Sequence, residues 1–159
     1  MNDNFGTAYT HSPIGFIAIK SFGEYICEVT FVDKITNLPQ DNTPILKECI
    51  HQLAGYFSGK LFKFHLPTTQ GGTVFQHQVW NHLLTIPYCK TISYGQMALQ
   101  LGQPKSARAI GAACGKNQLL ILHPCHRVIG ANKQLTGFAG GLWRKEWLLK
   151  HEATQSKLV

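Results

Sequence analysis

Nothing in the 159 residues approaches the run of about 18 apolar residues that a membrane-spanning helix needs. The opening stretch "MNDNFGTAYT" lacks the basic region and apolar core of a secretory signal. Both absences predict a soluble, cytoplasmic protein with no membrane partner. Paired cysteines are missing as well. Cys27, Cys49, Cys89, Cys114 and Cys125 are odd in number and scattered, and no two form a C-x-x-C pair. That argues against a disulfide framework and a cysteine-rich zinc site, and reduced thiols are the simpler reading. Internal repeats and low-complexity tracts are also missing.

Acidic residues are scarce in one half only. Residues 1–89 hold five Lys/Arg and six Asp/Glu, a balance of −1, while residues 90–159 hold ten and two, a balance of +8; together they give the net +7. A one-sided basic excess suits a surface that meets phosphates. A solvated lysine-rich face explains it equally well.

What is present is enough for a core. Apolar residues make up 44% of the chain, and a chain of this length buries most of its unfolded surface. Residues 1–40 alternate, are rich in β-branched and aromatic side chains, and are punctuated by Ser-Pro and Gly, which predicts an antiparallel meander. A helix follows with Leu46, Ile50, Leu53 and Phe57 at helical spacing, Thr43 as N-cap, Pro44 in the first turn and Gly59 at the end. "KLFKFHLPTTQGG" is a polar connection and the candidate lobe boundary. Beyond it the chain reads as mostly helical. "TVFQHQVWNHLLTI" places Phe75, Val79, Leu83 and Ile86 on one face and is closed by Pro87. "SYGQMALQLG" and "SARAIGAACGK" are short helices joined by a turn at Gly102, and "GLWRKEWLLKHE" is a final amphipathic helix. The fold class is therefore α+β. Residues 1–70 form a β-sheet lobe with a helix, and residues 71–159 a helical domain containing a helix-turn-helix.

The second helix of that pair is nearly bare. Ser106, Ala107, Ala109, Gly111 and Ala112 leave one long side chain, Arg108. Small residues let a backbone lie close to another surface. Packing against a neighbouring helix would account for them too, but it leaves the lone Arg unexplained.

"ILHPCHRVIG" places Cys125, His126 and Arg127 side by side after an apolar run broken by Pro124. A thiolate is a strong nucleophile. A neighbouring imidazole accepts its proton directly or through one water, and Glu152 is available as a third group to orient the base. Asn117, eight residues earlier, is a further polar residue ahead of the apolar approach. Read locally, a buried cysteine as a small hydrophobe, with Arg127 as a structural ion-pair partner, remains open.

The motifs together are more specific. "PCHRV" at residues 124–128 resembles the active-site signature of the methylated-DNA–protein-cysteine methyltransferases, also called 6-O-alkylguanine-DNA alkyltransferases. "SPIG", "GTVFQHQVW", "IPY", "TISYGQMA", "GQPKSARAIGAACGKN", "HRVIG", "GFAGGL" and "KEWLLKHE" fall in the family's order and spacing, over residues 9–152. The resemblance implies a ribonuclease H-like first lobe and a DNA-binding alkyltransferase second domain. It implies DNA repair by irreversible, single-turnover transfer of an alkyl group, from guanine O6 and also from thymine O4, to Cys125. His126 would act as base through water, and Glu152 would orient it. Asn117 would hold the hinge, and Tyr94 and Lys145 would face the leaving base. Arg108 would fill the gap left by a flipped nucleotide, with Ser106, Ala107, Ala109, Gly111, Tyr94 and Arg127 at the DNA. The implied partner is double-stranded DNA carrying alkylated guanine, bound by a monomer without any cofactor.

The sequence departs from the family at several places. Gln118 replaces a proline, Cys89 a glycine after "IPY", and Phe138 a frequent tyrosine. Cys27 and His65 are the only candidates for a zinc that some relatives carry, and two ligands are too few, so no metal is expected. The competing reading is a non-enzymatic damage binder of the alkyltransferase-like type, which lacks the nucleophile; Cys125 disfavours it. A regulator using Cys125 as a sensor lacks a further domain, and a small-molecule thiol transferase leaves the basic half unexplained.

Overall fold

The structure, a computed structural model, describes residues 4–35 and 40–157. The strand reading over residues 1–3 and 36–39 lies outside them. The chain divides into two compact units, Met1–Gly71 and Gly72–Val159.

In the first unit, alternation produces the expected meander. Strands β1 (Phe5–Ser12), β2 (Gly15–Phe22) and β3 (Tyr25–Val32) pair antiparallel in chain order. Ile17 and Ile19 on β2 are fully buried and lie opposite Phe31 and Val29, while Lys20 faces out and pairs with Glu28 at 3.2 Å. Helix α1 (Pro44–Phe57) packs on all three strands through Leu46, Cys49, Leu53 and Tyr56, which recur at steps of three and four. Pro44 opens it as expected. Thr43 occupies the N-cap position without a side-chain capping bond. Gly59 follows the helix with φ 78°, a conformation glycine adopts without Cβ strain. The Gln52 amide then pins the outgoing chain, donating to the His65 carbonyl (3.0 Å) and accepting from its N–H (2.8 Å).

In the second unit, Thr73 and Gln76 make a reciprocal capping box that starts α2 (Val74–Leu83). Gly72, just before it, lies against the Trp80 ring, where a Cβ would come within 2.5 Å. Helix α2 is shorter than its periodicity suggests. The N–H groups of Leu84, Thr85 and Ile86 bond three residues back and tighten the chain out of the helix, ahead of the restriction Pro87 imposes. Ile86 still reaches the core. Strand β4 (Ile92–Ser93) leads into α3 (Tyr94–Gln100), capped by a second box of Ser93 and Gln96. Gly102, φ 71°, turns the chain into α4 (Ala107–Gly115). These form the helix-turn-helix.

The apolar run 119–122 is buried but is no strand. Ile121 takes a left-handed φ of 72°, and the His123 N–H bonds back to the Leu119 carbonyl at 2.9 Å. A tight turn at Cys125–Arg127 follows, then β5 (Val128–Ile129), parallel to β4. Helix α5 (Leu142–Ser156) runs four residues past Glu152. No helix among the described residues is long and apolar enough to cross a membrane.

Candidate active site

Cys125 sits at the start of its turn, 4% exposed, because the bent apolar run carries it inward. Burial pushes its thiol above the ordinary value, while the Asn117 amide and the Lys145 charge pull it down. The Asn117 Nδ2 donates toward Sγ at 3.4 Å and to the His123 carbonyl at 2.9 Å, and Oδ1 accepts from the Leu119 N–H at 3.1 Å. One side chain thus shapes the bend and touches the sulfur.

His126 is fully buried, and its Nε2 lies 2.7 Å from Glu152 Oε2. Burial lowers the imidazole pKa against the opposing pull of Glu152. Burial alone would raise Glu152, but His126 and Arg127 outweigh it and hold the carboxyl well below the usual range. An ionised carboxylate only accepts, so Nε2 carries the proton. A neutral imidazole then has its lone pair at Nδ1, which has no hydrogen-bond partner among the described residues. This is the state a proton acceptor requires.

Glu152 accepts bonds from His126 Nε2, from Arg127 Nε (2.9 Å) and Nη2 (3.1 Å), and from the Cys89 backbone N–H (3.2 Å). Two of the expected site residues make inward contacts. Arg127, expected at the DNA, is 7% exposed; its remaining nitrogen Nη1 donates to the Ile86 carbonyl at 2.8 Å, so its guanidinium is committed inward. It forms an ion pair with Glu152. Lys145, expected to face a leaving base, is fully buried, and its ammonium donates to the carbonyls of Val128, Thr136 and Gly137. Desolvation lowers its pKa, opposed by Cys125 and Cys114. Tyr94, at the first position of α3, is half-buried and donates from its hydroxyl to the Thr136 carbonyl at 3.2 Å.

The other expected DNA residues share α4. Ile110, Ala113 and Cys114 are buried, whereas Arg108, Ala109 and Ala112 are exposed and Ser106, Ala107 and Gly111 half-buried. The outer face therefore carries Arg108 beside small side chains. The Ser106 hydroxyl makes no capping bond and lies 3.4 Å from Gln103. A Cβ on Gly111 would meet the Tyr94 ring at 3.7 Å, so this small residue brings α4 close to the site.

Trp80 and His123 escaped the sequence reading. The Trp80 indole N–H donates to the Ala113 carbonyl (2.9 Å), and His123 Nδ1 lies 3.1 Å from the Trp80 carbonyl, linking α4, α2 and the bent run. Nothing local marks such ties. Cys89 did carry a signal: it stands at a glycine position, and it adopts φ 69° so that its N–H meets Glu152. Among the described residues no three His, Cys, Asp or Glu side chains gather as a metal site would need.

A helix-turn-helix that shares one compact unit with a buried thiol, imidazole and carboxylate defines a class: proteins that combine this motif with a candidate cysteine nucleophile. Both units match one family, 6-O-methylguanine DNA methyltransferase, by its ribonuclease-like domain over residues 7–70 and its DNA binding domain over residues 74–154. The chain belongs to that family. A methylated-DNA–protein-cysteine methyltransferase of Methanosarcina acetivorans is 43% identical over 152 residues, covering 92% of this chain and 97% of that protein. One of Shigella flexneri is 56% identical over 102 residues, covering 64% of this chain and 60% of its own length. The chain thus spans less than two thirds of that relative. The crystal structure of the Mycobacterium tuberculosis O6-methylguanine methyltransferase superposes with a TM-score of 0.86 at 38% identity, covering 95% of this chain and 94% of that one. The same mycobacterial protein in complex with DNA gives 0.84 at 39% identity, covering 95% and 93%.

Proposed function

We propose that this protein repairs DNA by direct reversal, taking an alkyl group from guanine O6, and from thymine O4, onto Cys125. The observation that carries this reading is the buried His126–Glu152–Arg127 chain beside a thiol whose burial keeps it protonated at rest. A protonated thiol needs a base, and the free lone pair of His126 is the nearest in sequence. The proton leaves sulfur for Nδ1, directly or through one water. Sulfur bonds the alkyl carbon, the carbon–O6 bond breaks, and its electron pair goes to the guanine. The proton lost from sulfur balances the one the guanine takes up. A thioether does not revert, so each molecule acts once.

The reacting O6 cannot meet a protein sulfur inside a base stack, so the nucleotide must leave it. In this reading Arg108, exposed on α4, occupies the vacated stack, and the basic second half supplies phosphate affinity. The mycobacterial relative solved on DNA supports DNA as partner. The species that acts is a cytoplasmic monomer on duplex DNA.

Incubation with methylated duplex DNA followed by intact and peptide mass measurement tests the reading. We expect one methyl, about 14 Da, on the peptide containing Cys125 and none after Cys125→Ala, which should retain DNA binding. Repeated turnover, or label on Cys114 or Cys89, contradicts it.

A further inference from the structure

Residues 130–137 follow the cysteine turn and β5, and most of them are exposed. The segment closes on itself: the Gly130 N–H donates to the Gln134 carbonyl at 2.7 Å, and the Gln134 N–H to Ala131 at 3.3 Å. Asn132 and Lys133 turn its tip with φ 58° and 61°. Its two ends are joined by one atom. Lys145 Nζ donates to Val128 just before the segment (2.7 Å) and to Thr136 (2.8 Å) and Gly137 (3.3 Å) at its end. An ammonium has three N–H donors, and all three are used. None is left for a substrate.

Tyr94 binds the same carbonyl, its hydroxyl donating to Thr136 at 3.2 Å. A phenol has one proton to donate. It serves Thr136 or a base, not both.

We propose that residues 130–137 are a strap stapled by Lys145, which acts as a positioning residue and not as a donor to the base, and that Tyr94 releases the Thr136 carbonyl when it turns its hydroxyl to the guanine. Lys145 keeps the carbonyl bound through that exchange, so the strap holds its shape while the phenol changes acceptor. No covalent step is added; one O–H···O bond is replaced by one O–H···N bond. The Tyr94 half rests on the alkyl-transfer reading, whereas the staple does not.

Two measurements on the full chain separate these roles. Hydrogen exchange at the Gly130 and Gln134 amides reads the strap. Single-turnover transfer from free O6-methylguanine, with half-saturation and maximal rate determined separately, reads the site. In Lys145→Met, exchange should rise at least about tenfold and half-saturation by a similar factor, with the maximal rate within about threefold, as expected for lost bonds to a charged donor. Lys145→Gln, which keeps two donors, should fall between it and the parent in both readouts, and it decides alone where the methionine variant does not fold. In Tyr94→Phe the maximal rate should fall about tenfold or more while exchange stays within about threefold. Unchanged exchange in the Lys145 variants overturns the staple. A Lys145 loss confined to the maximal rate overturns the positioning role and returns the lysine to the chemistry. A parent protein that transfers nothing sinks the alkyl-transfer reading instead, and exchange still decides the staple.

Discussion

Glu152 shows how much one side chain can carry. Its carboxylate neutralises Arg127, fixes the tautomer of His126 and receives the Cys89 N–H. Glu152→Gln leaves a guanidinium buried without its counter-charge, which costs about 3–5 kcal/mol. For a domain of this size the melting temperature should then fall by roughly 10 °C, as calorimetry would show. Acid acts on the same group. The folded carboxyl lies below its ordinary value of 4.5, so its stabilisation is complete above that value and is lost as the pH falls toward the depressed one. Buried neutral His126 acts in the same direction below 6.5. Acid unfolding of Glu152→Gln should therefore have a flatter limb below pH 4.5 than the parent; parallel limbs would disprove this. Cys89 offers the opposite change. Its φ of 69° is strained for any residue with a Cβ, and Cys89→Gly keeps the N–H bond to Glu152. A gain of about 1 kcal/mol in urea unfolding is expected, less whatever the 3.1 Å contact of its sulfur with Ser156 contributes.

Among the elements, α3 and α4 divide their labour. The Ser93 hydroxyl accepts from the Gln96 N–H at 3.0 Å and sets the first turn that carries Tyr94. Ser93→Ala should cost about 1 kcal/mol of stability and slow transfer by moving the phenol. Helix α4 contributes Arg108 instead. Arg108→Ala should slow repair in duplex about 10- to 300-fold at saturating protein, since an uncompensated flip costs a few kcal/mol. The rate on free modified base should be unchanged. Equal loss on both substrates would show that Arg108 serves the chemistry, and recovery on duplex at saturation would show that it only holds a phosphate. Elements differed in how plainly the sequence announced them. The meander was legible because one face of each strand is buried and alternation records it. Helix α3 was legible because its cap and its stop are local residues. The 119–122 run was not, because apolar residues mark burial alone, and the left-handed turn at Ile121 is imposed by bonds to Asn117 and His123.

At the scale of the whole molecule, the site is a meeting of distant segments, and that limited what the sequence could say. Cys125 and His126 are neighbours in the chain, so their closeness could be read directly. Whether Arg127 points to DNA or to Glu152 is decided by where α5 docks, and no local pattern states it. The Lys145 carbonyl contacts were hidden for the same reason. The charge asymmetry, by contrast, needs no fold to be seen. If about five phosphates are neutralised by the second half, affinity for unrelated duplexes should fall roughly 20-fold for each doubling of salt. An affinity indifferent to salt, or tied to one sequence, would contradict that. Trp80 has a last consequence. It is 1% exposed and bonded to both α4 and the bent run behind the cysteine, while Trp143 is 57% exposed. With Trp143 and Trp147 replaced by phenylalanine, the remaining indole becomes a fluorescence reporter inside the protein. Its emission would follow events at the sulfur and at the outer helix in real time, without any attached dye.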